Sequence, residues 1–226
     1  AALVGGGTRA KPGEISLAHN GVLFLDELAE FARPVLDALR QPLETGQVVV
    51  ARANHHVTYP ARFQLIAAMN PCRCGYLGDP GRACSRAPQC GRTYSARVSG
   101  PMLDRFDLII DVPEVPGDLL FVAEPAEATS LIAARVVNAR NFAKQDEGAS
   151  NGLADGDNPA SSLDRNFSSA AITLMKSAMA KRQLSARGFH KIMKVARTIA
   201  NLAGAHQIQR DHVAEALAYR MMPLLA

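Results

Sequence analysis

The stretch GVLFLDELAE, residues 21–30, constrains this chain more than any other. Val22, Leu23, Phe24 and Leu25 form an unbroken apolar run that stops at two adjacent carboxylates, Asp26 and Glu27. Apolar side chains without polar alternation suit a strand covered on both faces, as inner strands of parallel sheets are. A second such run, RFQLIAAMN, ends in the polar Asn70, and FDLIIDVP, residues 106–113, reads as a third strand. Between the first two, Pro34 stands where a helix can start. Val35, Leu36, Leu39 and Leu43 share one face of it, and Gly46 is placed to end it. QVVVARANHHVTYP predicts a hairpin turning at Ala53 and Asn54. Buried strands alternating with helices predict an α/β layer structure with a mainly parallel sheet.

Residues 1–20, rich in Gly and basic side chains, read as a loop. Beyond Pro116 the β signal stops: residues 131–143 read as helix, QDEGASNGLADGDNPASS as a polar loop, and three helical segments follow. The clearest of these has Phe189, Ile192, Met193, Ala196, Ile199, Ala200 and Ala203 on one face, Ser185 as its cap and Gly204 as its stop. The expected division is a partial α/β core at 1–116 and an all-α domain at 117–226, with a flexible loop at 145–163. A chain of 226 residues, 48% of them apolar, can bury a proper core.

In open α/β sheets, ligands bind beyond the carboxyl ends of the strands. Asp26, Glu27 and Asn70 all fall there. Such a set suits nucleoside triphosphate hydrolysis, with an Asp holding Mg²⁺, a Glu polarising the attacking water and an amide orienting it. The plainer reading is that the two carboxylates cap the helix that follows, and on these residues alone the two stand level. The formal net charge of +4 and pI near 9.0 permit contact with nucleic acid without demanding it. No apolar stretch reaches the roughly 20 residues needed to cross a bilayer, so no membrane role is expected. The N-terminus lacks a secretion signal, which makes the cytoplasm the expected compartment.

The order of motifs goes further. SGPMLDRFDLIIDVP, following LIAAMNP and GVLFLDEL, resembles the AAA+ ATPases, and PGEISLAHNGVLFLDEL with SGPMLDRFDL is similar to their magnesium-chelatase-like branch, more narrowly to ComM-type competence proteins. The likeness covers nearly the whole chain. It implies a truncated AAA+ core followed by a helical lid, with ATP and Mg²⁺ as cofactors. Asp26 and Glu27 match the Walker B pair, Asp26 on the metal side, and Asn70 matches sensor 1. Arg105 in LDRFD matches the arginine finger that reaches a neighbouring subunit's γ-phosphate, and Arg187 in LSARGFH matches the sensor 2 arginine at the start of a lid helix. Fingers of this kind are worth roughly 10³ to 10⁵ in rate. On the residues alone the plainer readings are favoured: Arg105 as an exposed ion-pair partner of Asp104 or Asp107, and Arg187 as a solvated side chain near a helix start. The implied assembly is a hexameric ring acting on branched or single-stranded DNA in recombination and natural transformation. Two alternatives are a chelatase-type motor for metal insertion into tetrapyrroles and a non-catalytic zinc-containing adaptor.

One part of the pattern is missing. A phosphate-cradling loop needs G-x-x-x-x-G-K-[ST], and the sequence contains no Gly-Lys pair. In the family that loop lies upstream of the position where this chain starts. The expectation is a fragment that hydrolyses ATP poorly and leaves a sheet edge uncovered.

Cys72, Cys74, Cys84 and Cys90 are the four cysteines, too clustered for a disulfide framework. Four thiolates in one Gly/Pro-rich loop can hold a structural Zn²⁺ tetrahedrally, although C-x-C is not the usual C-x₂-C, and Cys serves equally as a small buried residue. The family pattern has paired C-x-C motifs, whereas here Arg86 stands where the fourth Cys would fall. Lys191, Lys194 and Arg197 read as a solvated helix face. Arg52, His55 and His56 decorate the hairpin, where they could track a phosphate backbone. His19 reads as structural.

Overall fold

The first of two units, Ala1–Phe106, opens on a ribbon where the sequence suggests only loop. In this computed structural model, which describes all residues except 1, 8–9, 53–54, 78–80, 116, 118–126, 150–165, 183–184 and 221–226, β1 (Gly5–Gly6) pairs antiparallel with β2 (Lys11–Pro12), and α1 (Glu14–Leu17) follows. Ala10 and Ile15 are fully buried, and the Tyr59 hydroxyl donates to the Ala10 carbonyl at 2.8 Å. Glycine content signals conformational freedom, but burial of these two side chains fixes the segment.

The apolar run forms β3 (Val22–Leu25), which pairs in parallel with β6 (Gln64–Ala67), Leu25 standing opposite Ala67. Leu25 is buried against Leu28, Ala29, Leu36 and Leu39 in the unit's core. The other face is open: Val22 is 54%, Phe24 58% and Ile66 44% exposed. The expectation of a strand covered on both faces therefore holds for one face only.

After a 3-10 turn at Leu28–Glu30, the single helix expected from Pro34 to Gly46 appears as two, α2 (Arg33–Ala38) and α3 (Arg40–Thr45). The cause is Pro42: it has no N–H to give the Ala38 carbonyl, so the ladder lapses at Leu39. Gly46 ends α3 as read, in the left-handed conformation at φ +68°, where a Cβ would lie 2.8 Å from the Arg62 side chain. The hairpin also forms, β4 (Gln47–Arg52) against β5 (His55–Pro60), with Arg52 opposite His55. Its turn residues lie outside the described set. Val48 and Val50 reach the core, and His56 is exposed. His19 is structural, its Nδ1 accepting the Arg62 N–H at 3.1 Å. The unit closes with α4 (Gln89–Ser95) and α5 (Gly100–Leu103); Tyr94 and Met102 on these helices, and Val98 between them, join the same core.

The strand expected at 106–113 is absent. That segment is irregular, with Leu108, Ile110 and Val112 exposed and the Ile109 N–H donating to the Tyr219 carbonyl at 2.9 Å. An apolar run becomes a strand only when another strand offers a ladder, and here a helix end takes the amide instead.

The second unit, Asp107–Met222, is helical as expected: α6 (Thr129–Ala149), α7 (Ser169–Arg182), α8 (Ala186–Leu202) and α9 (Arg210–Ala218). α6 runs on to Ala149, into the segment read as loop, most of which lies outside the described residues. On α8, Ile192, Ala196 and Ala200 are buried, with Phe189, Met193 and Ile199 packed beside them. Ser185 caps it by accepting the Gly188 N–H at 3.1 Å, and Gly204 follows at φ +65°. Ala171, Met175 and Ala178 of α7 and Val213, Ala216 and Leu217 of α9 complete this core. Arg197 turns back to the chain after α8, donating to Asn201 Oδ1 at 2.8 Å and to the carbonyls of His206 at 2.6 Å and Ala205. Lys191 Nζ meets Asp107 at 2.7 Å. No helix among the described residues is long and apolar enough to cross a membrane.

Candidate functional site

Parallel pairing sends β3 and β6 out of the sheet at the same end. The ladder continues past the strands: the Ala68 N–H donates to the Leu25 carbonyl and the Leu28 N–H to the Ala68 carbonyl, each at 2.9 Å. Asp26 and Glu27 are thus held between two bonds to Ala68, and Asn70 leaves the same edge two residues further on. All three are exposed. Glu27 has a left-handed backbone, φ 50° and ψ 47°, and its N–H donates to Asp26 Oδ1 at 2.8 Å. For a residue with a Cβ this conformation costs about 1–2 kcal/mol. Burial of Leu28 and Ala29 immediately afterwards offsets it.

A group that the sequence does not reveal secures this turn. Arg97, beyond α4, donates through Nη1 to the Ala29 carbonyl at 3.2 Å and to Glu30 Oε2 at 2.8 Å. Its guanidinium carbon lies 5.7 Å from the centre of the Tyr94 ring. The Arg97 hydrogen bond holds the Glu30 carboxyl below its ordinary value of 4.5. Burial, then the neighbouring Glu30 carboxylate, pushes the Tyr94 phenol up. Arg97 stands 67 residues from Glu30, so no local pattern links them. The available signal was an acidic turn in one motif and a basic residue just before another.

The two arginines are placed differently. Arg105 has a side chain only 8% exposed and is tied within its own unit. Its Nη2 meets Glu44 Oε1 at 2.6 Å, its Nε donates to the Arg40 carbonyl at 3.2 Å, and its Nη1 donates to the Pro101 carbonyl at 2.5 Å. Ser99, whose hydroxyl donates to Asp37 at 3.4 Å, helps fasten α5 to α2 and α3. Arg187 is exposed in the first turn of α8, in the second unit. The structure therefore gathers Asp26, Glu27 and Asn70 at one strand edge and holds Arg105 on α3.

Comparison with known families decides what this arrangement belongs to. Residues 1–120 match the family described as magnesium chelatase, subunit ChlI, and residues 126–220 match its C-terminal region. The chain belongs to the magnesium-chelatase family. Within that family it is 48% identical over 98% of its length to competence protein ComM of Haemophilus influenzae, covering 43% of that protein. It is 42% identical over 99% of its length to the uncharacterised protein YifB of Escherichia coli, covering 44% of it. A magnesium-chelatase 38 kDa subunit of Acidiphilium rubrum matches 52% of this family member at 36% identity, covering 28% of that subunit. The chain thus spans less than half the length of the curated relatives it matches most fully.

Proposed function

We propose that this chain supplies the metal-holding and water-activating side of an ATP-hydrolysing site in an AAA+ motor, one that works as a hexameric ring on branched or single-stranded DNA in the cytoplasm. The observation that carries this reading is the shared exit of Asp26, Glu27 and Asn70 from two hydrogen-bonded parallel strands.

The donor set suits a Mg²⁺-nucleotide. Asp26 presents an exposed carboxylate, a hard oxygen donor of the kind Mg²⁺ takes. Asp26 would hold such an ion, which when bound would supply charge neutralisation at the transferred phosphoryl group. Glu27, next in sequence and fixed by its left-handed turn, orients the attacking water and draws off its proton. Asn70, an amide with both donor and acceptor, aligns the same water without competing for the proton. Arg187 senses the nucleotide from the start of α8. Arg105 serves the phosphate of the next subunit, which competes with Glu44 for a guanidinium suited to either anion. The phosphate cradle is not among these residues, so turnover belongs to the longer protein.

The DNA reading rests on the match to a competence protein along almost the whole chain. The β4–β5 hairpin, bearing Arg52, His55 and His56, is the element proposed to follow the backbone of the nucleic acid. A second reading, a motor serving metal insertion into tetrapyrroles, is favoured by the partial match to a chelatase subunit. Stimulation of the full-length ATPase by branched DNA supports the first; stimulation by chelatase partner subunits and not by DNA supports the second. In either case Glu27→Gln in the full-length protein retains ATP binding and loses turnover, and undiminished turnover would remove Glu27 from its role.

A further inference from the structure

The loop between Asn70 and α4 carries chemistry that nucleotide hydrolysis does not use. From its geometry we infer that Cys72, Cys74, Cys84 and Cys90 hold one structural zinc ion. The Sγ atoms of Cys72, Cys74 and Cys90 lie within 4.8 Å of one another, and those of Cys72 and Cys74 are 3.1 Å apart. A tetrahedral ion with Zn–S bonds of about 2.3 Å separates its sulfurs by about 3.8 Å, inside that range. No disulfide joins them, since that bond would need about 2.05 Å. Cys84, on the far arm of the same loop, stands outside this group of three but interacts electrostatically with Cys74 and Cys90, and it is the fourth ligand the proposal adds. The spacing fits a single ion, because an iron–sulfur cluster holds its cysteines farther apart.

Three further observations separate this cluster from ordinary buried cysteines. Cys72 is fully buried yet is not among the side chains of the unit's hydrophobic cluster. α4 brings Cys90 back beside Cys72, and the glycine at residue 91 lets it pack closely there. A Cβ there would lie 2.5 Å from Leu77 Cδ2 and 3.3 Å from the Pro71 carbonyl. The same short stretch holds Arg73, Arg82, Arg86 and Arg92, a positive environment for a zinc tetrathiolate of net charge −2. The missing C-x₂-C spacing is no obstacle, because Cys90 comes from a helix and not from a local turn.

Zinc here closes a loop that runs from Asn70 to the helix before Arg97, both ends of which bear on the strand edge. The assignment does not depend on ATP chemistry. The test is metal analysis of the full 226-residue chain, purified under reducing conditions from zinc-supplemented cells. One zinc per chain, released as four thiols are titrated by a mercurial and accompanied by a lower melting temperature, is expected. Cys84→Ser should weaken zinc retention against a competing chelator by more than about tenfold. Should that variant not fold, cobalt loaded into the wild-type chain reports the ligands directly, a tetrathiolate spectrum supporting the site. Metal-free chain with paired disulfides, iron in place of zinc, a mixed-ligand cobalt spectrum, or full zinc retention by Cys84→Ser would each overturn it.

Discussion

Glu27 shows how one residue can serve chemistry at the expense of the fold. A left-handed backbone at a residue with a Cβ is unfavourable, and glycine adopts it freely. Replacing Glu27 with Gly should therefore raise stability by about 1 kcal/mol. The measurement is a denaturant melt with a shifted midpoint and unchanged slope. The full-length variant should meanwhile lose turnover as completely as Glu27→Gln, which keeps the strained backbone and should leave the midpoint where it is. Equal midpoints for Gly and Gln would show that the turn carries no strain. The place of the carboxylate pair was legible in sequence because the apolar run before it has the length and character of a buried strand and stops abruptly at two acids. The positive φ of Glu27 was not, since LDEL reads the same in either conformation. The burial of Arg105 was not legible either, and the plain reading of an exposed pair with Asp104 or Asp107 missed its partner: the tie to Glu44 joins positions 61 apart.

At the scale of elements, the 3-10 turn beneath the acidic pair depends on the Arg97–Glu30 contact. Both side chains are nearly half exposed, 46% and 42%, so solvent screens the pair and its contribution is small. Its sign with pH is fixed. Because Glu30 titrates below its ordinary 4.5 in the folded chain, its contribution is present above that value and is lost as pH falls through the lowered one. Arg97→Met should be less stable than wild type at neutral pH, and the gap should close as pH falls through the lowered Glu30 value. A gap that persists in acid would assign the loss to packing on Tyr94 instead. Helix α8 was fully readable, since its cap, stripe and stop are local and agree with one another. The paired helices α2 and α3 were half readable: the apolar face is right, but Pro42 divides it. The run at 106–113 misled because strand character belongs to a pair, and the amide of Ile109 found a helix end.

At the scale of the molecule, the order of motifs identified the family and the class of fold, while the open face of β3 and β6 was hidden in a run that looked fit for burial on both sides. The proposed ring makes a prediction that no single chain can test. Full-length Glu27→Gln and Arg105→Ala proteins, each inactive alone, should regain about a quarter of wild-type ATPase when mixed in equal amounts, because one interface in four then joins an intact Glu27 to an intact Arg105. If Arg105 serves only its own subunit through Glu44, the mixture stays inactive. Finally, among the described residues, five of the eleven buried side chains in the second unit's core are alanines: Ala171 and Ala178 on α7, Ala196 and Ala200 on α8, and Ala216 on α9. A methyl group has no alternative rotamer and cannot absorb a displacement. Force applied near Arg187 would be passed along α8 as through a stiff rod, shifting its whole length against α7 and α9 instead of dissipating in side-chain rearrangement.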